Sequence, residues 1–300
     1  MEIVTDGLAF PEGPVAMPDG SVILTEIATG QITRIWPDGR KDVVARPGGG
    51  PNGLAIGPDG KLYCTNNGGF NWNESNGMRA PHGIADDYSG GRIERIDIDT
   101  GAVEVLYKSG DFGCVLRGPN DIVFDSHGGF WFTDHGKVDY AKRCHDIVGI
   151  FYGKTDGSFL EEVIFPSNNP NGIGLSPDGK RLYAAGADRT LAFQQILHPL
   201  FLFRRYISHN ILRVAHNGVV STVFDQSNAA EAGVSFSEPS AIAISDDGAL
   251  FVAAAGGDNV LTYAMPGAGF KVAFPLHRCS ARGEKLPVGD EGLEQLLAGG

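Results

Sequence analysis

Short apolar runs alternate with turn residues along most of the chain, and one arrangement of them occurs five times. Each copy has a proline, one variable residue, a short apolar run, an Asp-Gly or His-Gly turn and a second apolar run. In every copy the variable residue lies seven positions before the residue that precedes the turn glycine. The five variable residues are therefore structurally equivalent. They are Glu12, Asn52, Asn120, Asn171 and Ser240.

Two further strands follow the second apolar run of each copy, because apolar and polar residues alternate there with a period of two. Each copy thus predicts four short strands joined in a meander. In the first copy the predicted strands are Pro14–Met17, Ser21–Glu26, Gln31–Trp36 and Lys41–Ala45. The second copy carries a long insertion, residues 66–90, between its second and third strands, and we expect this insertion to cover a site.

Repeats of this size with four strands each are typical of a β-propeller, an all-β fold in which every copy forms one blade around a central channel. If the first strand of each blade is innermost, the five variable residues lie together at the channel mouth, and we call them the ring positions. Residues 1–276 are predicted to form this propeller domain. The tail, residues 277–300, lacks the alternation. Either it completes a reduced sixth blade with the N-terminal strand, the ring has five blades, or another chain closes it.

The composition agrees with many short strands and tight turns, since the 300 residues include 43 glycines and 17 prolines without a strict period. The formal net charge of −12 argues against a nucleic-acid partner, because phosphate binding needs clustered Lys and Arg. No apolar run is long enough to span a membrane, and the longest, Ile196–Phe203, is compatible with a buried edge or an oligomer contact. The residues after Met1 show no secretory signal, so we expect a cytoplasmic location.

The ring positions offer one carboxylate, three carboxamides and one hydroxyl, and Asp121 follows the third of them. All of these groups are oxygen donors, which hard divalent cations prefer as ligands. The alternative is that Asn, Ser and Asp follow the prolines only because they form turns. Glu12 weakens this alternative, since glutamate is a poor turn former. The set therefore predicts one divalent cation at the channel mouth.

Three motifs resemble those of the SMP-30/gluconolactonase/luciferin-regenerating-enzyme family. They are Phe10–Pro14, Pro119–Asp121, and Asn169–Gly172 followed by Ser176–Tyr183. The resemblance covers residues 1 to about 276. It implies a six-bladed propeller that binds one divalent metal, which is Ca, Mg, Zn or Mn with calcium favoured, and that hydrolyses small lactones.

The resemblance also implies roles for individual residues. The metal glutamate of the family matches Glu12, and its metal asparagine matches Asn171. A polar position that contacts metal or substrate matches Asn120 with Asp121, and Asn52 lies where some members have an asparagine that faces the substrate. Together with the ring chemistry, these matches predict that Glu12, Asn171 and Asn120 bind the metal.

The fifth copy departs from the family pattern. The family has Pro-Asp-Gly there, with an aspartate that is both a metal ligand and the presumed base, whereas this chain has Pro239, Ser240 and Ala241. Serine is a much weaker ligand and no base. Metal affinity, lactonase activity or both are therefore expected to differ from the family's unless Glu238, Asp121, Asp134 or His135 takes over. We keep Ser240 among the expected metal ligands and catalytic residues, with Asp121 and His135 as the further catalytic residues.

The expected site thus combines three sets of residues. His135 is included because it follows the second strand of the blade that carries Asn120, and Trp72 because it lies in the long insertion and offers an apolar wall. The expected sets are catalytic Asp121, Ser240 and His135, substrate-binding Asn52, Asn120 and Trp72, and metal-binding Glu12, Asn171, Asn120 and Ser240.

Three functions agree with these features. The first is a metal-dependent hydrolase that opens a small lactone, in which the cation polarises the carbonyl and activates water. The second is an isomerase or lyase of the same family that acts through an enolate, which the missing aspartate favours. The third is a propeller that binds a small ligand without catalysis, because the fold alone does not determine function.

Overall fold

The computed structural model describes residues 4–75, 78–167, 169–177, 179 and 181–186, and beyond them the backbone of the strands within 211–272. These residues form five four-stranded antiparallel sheets and two two-stranded hairpins. The described helical structure is limited to two single 3₁₀ turns, Ile27–Thr29 and Asp111–Gly113. The all-β class predicted from the alternating pattern is confirmed.

The blade strands of the first three blades agree with the predicted meander to within a few residues, and two hairpins within the insertions are additional. In chain order they are β1 Pro11–Ala16, β2 Val22–Glu26, β3 Gln31–Ile35, β4 Lys41–Ala45, β5 Pro51–Ile56, β6 Leu62–Asn66, β7 Phe70–Ser75, β8 Met78–Ile84, β9 Arg92–Ile96, β10 Val103–Lys108, β11 Pro119–Phe124, β12 Gly129–Asp134, β13 Val138–Asp139, β14 Cys144–His145, β15 Val148–Lys154 and β16 Leu160–Ser167.

Two more sheets follow. Their strands are β17 Ile173–Leu175, β18 Arg181–Ala185, β19 Ile211–Ala215, β20 Val220–Phe224, β21 Pro239–Ile244, β22 Leu250–Ala254, β23 Val260–Tyr263 and β24 Lys271–Val272.

The five sheets are arranged as propeller blades. Within each sheet the four strands are paired in the order of the sequence, and the first strand of each sheet packs against the first strand of the next, from β1 through β5, β11 and β17 to β21. The first strands are therefore innermost, as the sequence predicted, and they line the central channel. The ring positions lie at or just before the start of these strands.

Most innermost strands have an irregular register where the ring position lies. The pairing shifts between Glu12 and Val15 in β1, between Pro51 and Leu54 in β5, and between Pro119 and Ile122 in β11. A bulge of this kind bends a strand and redirects a side chain. The side chain of the ring position therefore does not follow the regular alternation of side chains between the two faces of the sheet.

The core lies between neighbouring blades. Tyr63 of the second blade and Phe130, Phe132 and Phe151 of the third are almost completely buried in one cluster with Ile93. Each such side chain contributes about 1.5–3 kcal/mol through the apolar surface that it removes from water. Apolar contacts therefore hold each blade against the next. They also fix the distances between the ring positions at the inner ends of the blades.

Buried threonines connect the first four blades. Each stands on the second strand of its blade, thirteen residues after the ring position, and is completely buried. Its hydroxyl donates a hydrogen bond to the backbone carbonyl of the ring position in the next blade. We call these bonds the threonine links. They join Thr25 Oγ1 to Asn52 O (2.7 Å), Thr65 Oγ1 to Asn120 O (2.5 Å) and Thr133 Oγ1 to Asn171 O (2.5 Å).

The insertions of the second and third blades contain paired strands that the sequence did not predict. Residues 66–90 contain the hairpin β7–β8, and the insertion of the third blade contains the short hairpin β13–β14, so neither is an irregular loop. The tail 277–300, the boundary after residue 276 and the run Ile196–Phe203 lie outside the described residues. Within the described part of the chain, no helix has the length and apolarity needed to cross a bilayer.

The threonine links make a prediction about stability. Thr65→Val keeps the shape of the side chain but leaves the Asn120 carbonyl without its donor and the Gly53 N–H without its acceptor, so we expect the free energy of unfolding to fall by about 1–3 kcal/mol. Urea unfolding measures this change. Thr29→Val, at an exposed threonine, is the matched control and should change it by less than about 0.5 kcal/mol. Equal effects of the two substitutions would show that the link contributes nothing.

Candidate functional site

The ring positions of the first three blades come into contact because glycine follows two of them. A Cβ atom on Gly13 would lie 2.4 Å from the carbonyl oxygen of Asn52, and one on Gly53 would lie 2.5 Å from that of Asn120 and 2.7 Å from Cα of Asp121. Any larger residue would force the strands apart. The two glycines therefore allow the starts of β1, β5 and β11 to approach closely.

Glu12 is the carboxylate of the first blade. Its side chain meets solvent at the channel mouth, but protein surrounds it on the other sides. This partial loss of water raises its pKa above the usual value of 4.5, and repulsion from the nearby Asp121 carboxylate raises it further, against a smaller opposite effect of the Gly13 amide. The carboxylates of Glu12 and Asp121 are thus close enough for their charges to repel each other.

Asp121 bridges the third and fourth blades. Its Oδ1 accepts a hydrogen bond from the backbone N–H of Ile122, and its Oδ2 accepts one from that of Ile173 in β17, both at 2.9 Å. Burial nevertheless raises its pKa to about 6. Burial is thus the main cause of the raised pKa of both Glu12 and Asp121, and repulsion adds to it at Glu12. A carboxylate with a pKa close to neutral and a fixed orientation is suited to act as a general base.

The three asparagines of the ring differ in exposure. Asn52 is 6% exposed, whereas Asn120 and Asn171 are half-buried. The backbone of each accepts a threonine link, and the N–H of Asn171 also donates to Ala185 O at 2.8 Å. Ser240 is the second residue of β21, next to β17, and its side chain lies outside the described residues.

His135 lies beside the segment that leads to Asn171. Its ring hydrogen-bonds the backbone of Asn169 and Pro170, and burial lowers its pKa to about 4. Its Nδ1 is buried without a partner among the described residues. The imidazole is therefore neutral near pH 7 and weakly basic, and its position suits it to hold this segment. Its expected catalytic role remains a prediction.

Trp72 lies on β7 beside the entrance to the first blade. Its ring is 5.1 Å from that of Phe10, two residues before Glu12, and 6.1 Å from that of Phe70. The hairpin β7–β8 also contacts β13–β14, where His82 stacks on Tyr140 with ring centroids 4.7 Å apart. The two insertions thus form one structure that includes Trp72, and the substrate-binding role of Trp72 remains a prediction.

Two polar residues of this region were missed by the sequence analysis. Lys137 is only 2% exposed and Asn67 only 1%. Nζ of Lys137 donates to Oδ1 of Asn67 at 3.0 Å and to the carbonyl of Gly69 at 2.8 Å. Burial lowers the pKa of Lys137 to about 7. Neither residue belongs to the repeat, and no periodic pattern points to them.

Asp134, the last residue of β12, is completely buried. It accepts backbone hydrogen bonds from Arg117 and Gly118 at 2.7 Å and from Gly136 at 2.8 Å. Burial raises its pKa to about 6 against these bonds. Both of its oxygens thus accept hydrogen bonds from the backbone before β11 and after β12, and these bonds fix the turns there.

Comparison with known sequences decides the family. The sequence model described as SMP-30/Gluconolactonase/LRE-like region matches residues 10–200, more than half of the chain. The chain belongs to this family. The gluconolactonase of Zymomonas mobilis is 28% identical over 211 residues, which are 63% of this chain and 52% of that protein. The chain spans about half the length of the curated relatives it matches.

Solved structures show the same fold. A gluconolactonase from Xanthomonas campestris superposes with a TM-score of 0.63 at 19% identity, covering 91% of this chain and 78% of that chain. Regucalcin from Agrobacterium tumefaciens, a calcium-binding protein, superposes with a TM-score of 0.58 at 18% identity, covering 89% and 75%. At these identities the likeness establishes the fold of the family member described here, and no more.

The donor set of the ring is compatible with the divalent cation expected for this family. In the described part of the chain, no three His, Cys, Asp or Glu residues come close enough to hold an ion by themselves. An ion would therefore need carboxamide oxygens in addition to the carboxylate of Glu12. Such mixed oxygen sets suit calcium, and a cation would relieve the repulsion that raises the pKa of Glu12.

The buried imidazole makes a prediction about acid stability. The folded pKa of His135 is about 4 and its usual value is 6.5, so the folded state binds the proton less well. Its contribution is present above pH 6.5 and is lost as the pH falls towards 4. His135→Gln should remove this loss. Acidification should then lower the free energy of unfolding of the variant by about 1–3 kcal/mol less than that of the wild type. Urea unfolding across this range tests it, and parallel curves would contradict the assignment.

Proposed function

We propose that the protein hydrolyses small lactones with the help of one divalent cation, calcium being favoured, at the ring positions. The observation that carries the proposal is the meeting of Glu12 and Asp121 at the bulged starts of innermost strands, with the pKa values of both raised. Membership of the SMP-30/gluconolactonase family supports the reaction class. The calcium-binding neighbour of the same fold supports the choice of ion.

The cation would be held by Glu12, Asn120, Asn171 and Ser240. When bound, it would polarise the lactone carbonyl and lower the pKa of a water molecule. The threonine links support this assignment for Asn120 and Asn171, because they fix the backbone from which the carboxamides extend. Asn52 and Trp72 would contact the substrate.

Asp121 is the general base of the proposed reaction. It takes a proton from water while the water oxygen bonds to the carbonyl carbon. The ring C–O bond then breaks, and the proton passes to the departing oxygen, so that a hydroxy acid is formed. The backbone N–H groups of Ile122 and Ile173 keep the carboxylate oriented, and its pKa of about 6 leaves it ionised at neutral pH.

A panel assay separates this proposal from the other two functions. The protein is incubated with calcium and a set of γ- and δ-lactones, and acid release is followed. Enolisable carbonyl compounds are then tested for isomerisation or elimination. Acid release supports the hydrolase. Turnover of the second set alone would favour the isomerase or lyase, and no turnover with either set would favour a binding protein.

Glu12→Gln tests the cation site. We expect calcium affinity to fall by about tenfold or more and lactone turnover to fall with it, because a direct ligand should matter at least as much as the outer partners of a metal site. Affinity in the wild type should also decrease as the pH falls below about 6, where Asp121 takes up a proton. Calorimetric titration measures both effects. Glu161→Gln, at an exposed glutamate of β16, is the control, and equal behaviour of the two variants would reject the site.

Ser240→Asp tests the departure from the family pattern. An added carboxylate should tighten calcium binding, since the neutral hydroxyl contributes less to the attraction of a cation. If hydrolysis is the native reaction and lacks only a stronger base, lactone turnover should rise as well, by up to about 10²-fold. Tighter binding with lower native activity would instead show that Ser240 serves a different reaction. Unchanged calcium affinity would show that position 240 does not face the ion.

A further inference from the structure

Lys137 is a buried ammonium group whose partners are all neutral. Its Nζ contacts a carboxamide oxygen of Asn67, the backbone carbonyl of Gly69, and the face of Phe70, whose ring centroid is 3.5 Å away. Among the residues that the structure describes, it forms no ion pair. A buried charge without a counter-ion is costly, and its side chain nonetheless enters the interface between the two hairpins.

The charged groups near Lys137 form hydrogen bonds with other partners. Asp134 accepts its three backbone hydrogen bonds, and Asp146 accepts from Nε of Arg117 at 2.9 Å and from the backbone N–H of Lys137 at 3.0 Å. Tyr88 donates its hydroxyl to the carbonyl of Arg117. Asp134 and Asp146 attract the ammonium at longer range, while Arg117 repels it. None of these groups supplies the missing anion.

Asn67 presents a second unused donor at the same place. Its Oδ1 accepts from the N–H of Gly69 at 2.9 Å as well as from Lys137, so a flipped carboxamide would set its NH₂ against two donors. The orientation is therefore fixed by chemistry. The Nδ2 atom is buried and has no partner among the described residues, which costs roughly 1–3 kcal/mol unless a ligand or water satisfies it.

The donor pair lies next to the ring. The carboxamide of Asn67 packs directly on Gly50, where an added Cβ would lie 3.0 Å from Nδ2 and 2.2 Å from Oδ1. Gly50 precedes Pro51 and the ring position Asn52. The backbone N–H of Asn67 also donates to the Gly50 carbonyl at 2.8 Å. An acceptor held by the pair would therefore be close to the mouth of the channel on the side of the second blade.

We propose that Lys137 and Asn67 form an anion subsite, beneath the hairpin β7–β8, that holds a carboxylate of the ligand. This inference rests on the proposed function in one respect, because it assigns the substrate to lactones that carry a carboxylate. Both donors are buried, and Lys137 lies against Phe70 of the hairpin, so a ligand would reach them only with the hairpin moved aside. The carboxylate then supplies the counter-ion that the ammonium lacks and the acceptor that Nδ2 lacks.

Direct binding tests the subsite without turnover. The melting temperature and the calorimetric titration are measured with gluconate, with inorganic phosphate and with chloride at matched ionic strength. They are measured for the calcium-loaded and the calcium-free protein, because a carboxylate can also bind the cation. We expect gluconate to bind the wild type and Lys137→Met to weaken it by about 10- to 100-fold, the effect of one hydrogen bond to a charged group. Lys108→Met, at an exposed lysine, is the control. Equal affinity in the two variants, or stabilisation by phosphate alone, would overturn the proposal.

Asn67→Asp provides a second test with opposite signs. It keeps the acceptor for Gly69 and Lys137 but replaces the free NH₂ with an oxygen, and it gives the ammonium a counter-ion of its own. We expect the variant to melt at a higher temperature than the wild type and to lose the gluconate response. A higher melting temperature with an unchanged response would show that the pair is only structural.

The charge of Lys137 gives a further readout. Its pKa is about 7, so gluconate affinity in the wild type should fall by about fivefold between that pH and one unit above it, because the protonated fraction falls by that factor. The same decrease should be absent in Lys137→Met. If lactones are not hydrolysed but these binding results are obtained, the proposed function fails and the subsite stands. If lactones are hydrolysed and KM is independent of a substrate carboxylate and of Lys137, the subsite fails alone.

Discussion

The backbone carbonyl of a ring position is buried between two blades, and it needs a hydrogen-bond donor there. In the second to fourth blades the donor is a threonine hydroxyl from the preceding blade. Valine would fill the same volume but leave the carbonyl unpaired, at a cost of about 1–3 kcal/mol. The threonine links thus combine two tasks. They connect neighbouring blades, and they fix the backbone of the ring while its side chains stay available for a ligand.

The residue that follows each ring position explains why the third blade differs from the others. It is glycine in the first, second and fourth blades, alanine in the fifth and Asp121 in the third. Gly13 and Gly53 are required because the next blade approaches too closely for a side chain. At Asp121 the side chain instead receives the N–H of Ile173 from the next blade. One position therefore both joins two blades and places a second carboxylate beside Glu12.

The ring was predictable from sequence because it belongs to the repeat. A constant offset marks Glu12, Asn52, Asn120, Asn171 and Ser240 as equivalent, and the period of two gives the strands. The threonines could have been found in the same way, since they also recur at a constant offset. Lys137 and Asn67 could not, because they meet through two insertions that follow no repeat. The hairpin within residues 66–90 was also missed, although its sequence contains Asn76-Gly77 between the two strands, a common signal for a hairpin turn.

The threonine links have a direction. Every donor belongs to the earlier blade and every acceptor to the later one, so the geometry of a ring position depends on the blade before it. The series ends at the fourth blade, where the equivalent residue is Ala184 and has no hydroxyl. Ser240 therefore receives no such bond at its carbonyl. A substitution at position 240 therefore breaks no threonine link, whereas the carbonyls of the ring positions in the second to fourth blades each depend on the hydroxyl of the blade before them.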